Sequence, residues 1–163
     1  MEQFDRAQRY LERLRQLYVG TQSDQRSKQE CEDDALSFFV HCYHIKDWII
    51  HLNKVGITSK NVDAFIDENE CLKICADLCN GAKHCRLTKT SRSGLKPHLA
   101  GKQYKFSTWL SGSGGCEIIQ GKYTVVTMHG LVDALVLAEE CMKCWGVFID
   151  QLKENQSLYP SAR

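Results

Sequence analysis

Residues 33–55 read DDALSFFVHCYHIKDWIIHLNKV, and this stretch decides the fold class. Phe38, Cys42, Ile45, Ile49 and Leu52 recur at spacings of three and four, the period of one helical face. The spacing predicts a long helix over about 33–55, with Gly56 placed to end it. Upstream, Phe4, Ala7, Leu11, Leu14 and Tyr18 give an amphipathic helix over 3–19, and the polar run 20–30 reads as a loop. Downstream, Val62, Phe65 and Ile66 mark a short helix over 60–67. Cys71, Cys75, Leu78 and Ala82 mark another over 69–85. Periodicity is then lost through 86–102. It returns with a period of two at Tyr104, Phe106, Thr108 and Leu110, followed by the turn residues GSGG at 112–115 and β-rich runs at 116–120 and 123–128. A last helix is predicted over about 131–153, presenting Leu131, Leu135, Ala138, Met142, Trp145, Ile149 and Leu152, with a frayed tail after Glu154.

The expectation is a mainly α single domain over 1–163. Four or five helices form a bundle, and an antiparallel β-hairpin or three-stranded meander is inserted before the last long helix. Its parts are an N-terminal helix and polar loop (1–30), a helical core (31–85), a basic loop and β-insertion (86–130) and a C-terminal helix (131–155).

Composition excludes several classes. With 43% hydrophobic residues and 2 prolines, the chain is neither collagen-like nor a charged disordered segment. No stretch is long and apolar enough for a membrane span, and the charged N-terminus is not a secretory signal. The 9 cysteines are therefore expected to be reduced thiols in a cytoplasm. The net charge of +1 conceals a division. No acidic residue lies between Asp77 and Glu117, whereas Lys83, Arg86, Lys89, Arg92, Lys96, Lys102 and Lys105 all do. This segment is a candidate nucleic-acid-binding surface, with Tyr104, Phe106 and Trp109 available to stack on bases. The competing reading is a solvated loop beside a packed strand face.

Three groups of residues could carry chemistry. His41, His44, Trp48, His51 and Val55 form a stripe beside the core stripe of the long helix, and Asp47 is placed to pair with His44 or His51. Oriented imidazoles serve acid–base work or metal ligation, and equally they line helix interfaces. Lys73, Asp77, Asn80 and His84 form a polar stripe on the 69–85 helix, away from its cysteine face, with Gly81 among them. Cys141 and Cys144 form a CxxC in mid-helix, a spacing open to half a zinc site, with Cys75, Cys79 and His84-Cys85 as nominal partners, or to a redox pair; packing is the preferred reading, and no metal site and no cofactor are expected. Hydrolase and nucleotide-loop motifs such as GxSxG and GxxxxGK[ST] are missing.

The run Cys42-Tyr43-His44-Ile45-Lys46-Asp47-Trp48, followed by Cys79-Asn80-Gly81-Ala82-Lys83-His84, resembles small bacterial proteins related to the HEPN (higher eukaryotes and prokaryotes nucleotide-binding) superfamily. The resemblance covers roughly residues 33–150 in helix order. It implies a helical bundle, commonly dimeric, in a family with many metal-independent RNases of toxin–antitoxin and phage-defence systems. In such RNases an Arg, a polar residue and a His share one helix. Here the polar position is Asn80 and the His is His84, the proposed general acid/base, with His44 and Asp47 as assistants. The Arg position falls on Cys79, and a thiol cannot replace a guanidinium fork. The resemblance therefore implies binding of RNA, a nucleotide or a protein partner, including a second copy, ahead of RNA cleavage.

Overall fold

The protein is described by a computed structural model over residues 1–22, 26–52, 56–83, 91–94, 96–111 and 114–158. The chain runs α1 (Glu2–Val19), β1 (Thr21–Gln22), α2 (Lys28–Tyr43), α3 (Ile45–Leu52), α4 (Ser59–Glu68) and α5 (Glu70–Lys83). It continues with β2 (His98–Ser111), β3 (Gly114–Thr127), β4 (Gly130–Asp133) and α6 (Ala134–Leu158). The fold is mainly helical, with a small antiparallel sheet. No helix among the described residues is long and apolar enough to cross a membrane.

The predicted 33–55 helix is two helices, broken at His44. Phe38, Cys42, Ile45 and Ile49 are buried as their spacing requires, but Leu52 is half exposed. Residues 53–55 lie outside the described residues, and Gly56 has a φ of 75° that favours glycine. Helix α2 starts at Lys28, inside the predicted loop. The side chain of Ser27 accepts from the N–H of Glu30, while the Glu30 carboxylate accepts from the N–H of Ser27. This reciprocal cap closes the first turn. Thr58 and Asn61 do the same for α4.

The sheet carries the main departures from the sequence reading. Residues 116–120 and 123–128 do not form separate strands; β3 runs unbroken through Gly121. Strand β2 pairs along one edge of β3, while β1 and β4 share the other. The hydroxyl of Tyr18 sits between β1 and β4, donating to the carbonyl of Tyr123 and accepting from its N–H, both at 3.1 Å. It completes the ladder where neither short strand reaches. Burial pushes the Tyr18 phenol up to about 12. Residues 130–133, read as the start of the last helix, form β4, and Leu131 is 73% exposed rather than packed. Asp133 then caps α6, accepting from the N–H groups of Leu135 and Val136. The helix continues to Leu158, beyond the predicted fraying point. One core joins α1, α2, α5, α6 and the inner face of β3, with Phe38, Phe39, Leu11, Leu14, Tyr123 and Trp145 fully buried.

Candidate functional site

The break at His44 places a helix end and a new helix start at one point on the surface. There, α1, the end of α2 and the start of α3 enclose a cleft of about 250 Å³ lined by Gln3, Arg6, Val40, His41, His44, Asp47 and Trp48. His51, the last member of the histidine stripe, is exposed outside it.

Each imidazole in the cleft is fixed. Gln3, a buried polar residue that sequence periodicity offered no reason to single out, donates from Nε2 to the His41 carbonyl at 2.8 Å and approaches His41 Nδ1 at 3.3 Å. That amide donor leaves the His41 ring proton on Nε2. Tyr10 stacks on the ring at 4.8 Å. Burial holds the His41 pKa below its ordinary value, and the nearby charges of Arg6, Lys83 and Arg9 lower it further. His44 Nδ1 lies 2.6 Å from Asp47 Oδ2, and His44 Nε2 meets the ammonium of Lys83 from the end of α5. An ammonium only donates, so Nε2 accepts and Nδ1–H donates to Asp47.

The predicted polar stripe of α5 divides. Lys73 pairs with Glu70, Asn80 is half-buried, and Lys83, beside the stripe, meets His44 at the cleft. His84, Arg86 and Lys89 lie outside the described residues. Asp77 is not on an exposed stripe: it is 3% exposed. Its carboxylate accepts from the Ser91 hydroxyl (2.5 Å), the Arg92 N–H (3.0 Å), and the Ser93 N–H (2.8 Å) and hydroxyl (2.7 Å). Ala82, predicted to be buried, is exposed. Cys79, at the position where the resemblance expects arginine, is fully buried beneath Lys83. Burial keeps its thiol pKa above the ordinary value despite that lysine.

The basic segment is partly tied down. Arg92 pairs with Asp63 at 2.8 Å and Asp67 at 3.0 Å, and Lys102 pairs with Glu32 at 2.6 Å. Lys96 and Lys105 are exposed. Lys105 joins Lys122, Gln103, Gln120, Tyr18 and Tyr104 around a second cleft of about 520 Å³ on the hairpin. Tyr104 is held by the Tyr123 hydroxyl at 3.0 Å, so its ring is committed to the sheet, whereas Phe106 is 45% exposed beneath the ammonium of Lys28. The side chain of Trp109 lies outside what the structure describes.

Of the nominal partners of the α6 CxxC, Cys75 does lie beside it, and two further neighbours, Cys42 and Cys71, join it. The Cys141 sulfur converges with those of Cys42 and Cys75, and Cys144 lies 3.6 Å from Cys71. Comparison of the chain with protein-family models, with curated proteins and with solved structures returns no match.

Proposed function

We propose that this chain is a HEPN-like helical protein that binds RNA through the cleft between α1, the α2–α3 break and the end of α5. The observation that carries this reading is the meeting of Arg6, His41 and His44 in one concavity, with the ammonium of Lys83 held against His44 beside it. Lys83 supplies, one residue before His84, a cation in the neighbourhood where Cys79 withholds one. A phosphate oxygen is a stronger acceptor for that ammonium than a neutral imidazole nitrogen. A bound backbone phosphate would therefore draw Lys83 from His44, with Arg6, paired in the free protein with Glu2, as a second donor. The test is fluorescence anisotropy with a labelled single-stranded RNA over a salt series. The expected result is an affinity that falls steeply with salt and is reduced in Lys83→Ala. An affinity indifferent to both salt and the substitution overturns the reading.

One observation favours a second reading, a metal-independent RNase. The Asp47-oriented His44 has the geometry of a general base once Lys83 leaves Nε2. RNA cleavage in EDTA that is lost in both His44→Ala and His84→Ala would support it, and absence of cleavage would leave binding as the function.

A further inference from the structure

Helices α2, α5 and α6 each send cysteines to one point in the core. The Sγ atoms of Cys42, Cys75 and Cys141 lie within 4.8 Å of one another, and all three residues are buried. Cys71, one turn before Cys75, has its thiol against that of Cys141 and 3.6 Å from that of Cys144. Buried thiols often act only as small hydrophobes, and then they meet carbon on all sides. These meet one another. No imidazole or carboxylate belongs to the group of converging sulfurs. Such a donor set excludes hard cations, which require oxygen, and suits a soft ion.

A second observation points to a ligand. The indole N–H of Trp145 is fully buried and is the one described buried side-chain polar group without a hydrogen-bond partner. It lies against the thiol of Cys42. A neutral thiol is a weak acceptor, but a metal-bound thiolate is a strong one, and outer donors of this kind tune metal sites. An orphaned donor in a native core asks for an explanation, and a thiolate at Cys42 provides it. There is also an access route. Cys71 and Cys144 line an open cleft of about 330 Å³ with Phe65, Asn69, Lys143 and Val147, so the outer edge of the cluster faces solvent.

We propose that Cys42, Cys75 and Cys141, with Cys71 as the fourth ligand, form a structural Zn²⁺ site that pins α2, α5 and α6 together. Tetrahedral zinc thiolates have sulfurs about 3.8 Å apart, from a Zn–S distance of about 2.3 Å. The three inner sulfurs therefore need to contract by no more than about 1 Å, and the Cys71 thiol, which lies outside that group, has to swing inward from beside Cys141. Binding displaces the thiol protons to solvent, including those that Cys75 and Cys141 donate to the carbonyls of Phe39 and Cys71. The site is independent of the RNA reading and does not share a residue with that cleft.

The test uses the full chain under reducing conditions. Protein stripped of metal with a chelator is titrated with Zn²⁺ against a chromophoric competitor, and Co²⁺ is substituted to read the coordination by absorption. The expected result is stoichiometric Zn²⁺ uptake, the intense charge-transfer and ligand-field bands of tetrahedral cobalt thiolate, and a Tm raised by roughly 5–10 °C at a hundredfold excess over Kd. Uptake should be lost in Cys141→Ser and retained in Cys116→Ser, whose thiol is on the hairpin. Since Cys141→Ser places a hydroxyl in the core, Trp145→Phe gives a second measure. It leaves all four sulfurs and should weaken Zn²⁺ binding about 10- to 100-fold. No uptake by the folded stripped protein, or uptake unchanged in Cys141→Ser and Trp145→Phe, overturns the proposal.

Discussion

Lys83, the last residue of α5, donates its ammonium to Nε2 of His44, which lies 39 residues earlier at the α2–α3 break. The contact fixes the tautomer of His44 and puts a displaceable cation at the mouth of the cleft. If RNA takes that cation, Lys83→Ala removes roughly one phosphate contact. The slope of log K against log salt should then become shallower by about 0.7, the single-strand value for one contact. Lys102→Ala should change the slope less, because Glu32 already neutralises Lys102. Anisotropy titrations at three or more salt concentrations distinguish the two.

The depressed pKa of His41 makes a paired prediction about pH. In the folded state His41 stays neutral below its ordinary value of 6.5, so the unfolded chain binds the proton first as pH falls. This contribution to stability is present in full above about pH 6.5 and is lost as pH drops through the lowered pKa. A phosphate in the cleft favours the imidazolium and reverses the bias. RNA affinity should therefore rise as pH falls over the interval in which unliganded stability declines. Urea melts and anisotropy across pH 5–8 measure both trends, and His41→Gln should flatten them.

Much of this was legible in the sequence, because a helical period is a local signal. The stripes of α1 and α4 follow from spacing, as does the row from His41 to Trp48, whereas α5 is buried on more than its spaced face and leaves Ala82 exposed. The His44–Lys83 contact is not local. Two helix ends must meet, and no pattern in either helix announces the other. Asp77 misled for a related reason. Its place in a polar stripe implied exposure, while the loop that buries it, Ser91 to Ser93, lacks periodicity. Leu131 misled in the opposite way: an apolar run continuous with α6 looked helical, yet Gly130, at a φ of 114°, turns the chain into β4 first. The Ser27–Glu30 cap starts α2 inside a run that polarity alone assigns to a loop.

Asp77 should be among the most sensitive positions in the chain. Its carboxylate gathers four donors, two of which are backbone N–H groups. Asp77→Ala removes that shared acceptor from a buried site and should cost about 3 kcal/mol. Asp77→Asn preserves one acceptor oxygen and should cost about half as much. The loss releases the anchor that positions Arg92 between Asp63 and Asp67, so Arg92→Ala in the Asp77→Ala background should cost less than in the wild type. A double-mutant cycle by urea denaturation gives the coupling energy.

Two glycines separate a packing role from an open one. A Cβ at Gly121 would stand 3.1 Å from three carbons of Leu17, where α1 crosses β3. Leu17 is 1% exposed and has little room to yield. Gly121→Ala should cost about 1–3 kcal/mol by overpacking, and Gly121→Ala with Leu17→Val should recover part of that loss. Gly81 lies inside α5 with an ordinary helical φ, and a methyl group added there would meet nothing within 4 Å. Gly81→Ala should add about 0.5–1 kcal/mol through helix propensity alone. That gain corresponds to roughly 1–4 °C in Tm for a chain of this size. The same variant checks whether bound RNA uses the space beside Asn80. A more stable protein with reduced RNA affinity would place the strand against that turn of α5, whereas unchanged affinity would confine it to the side on which Lys83 meets His44.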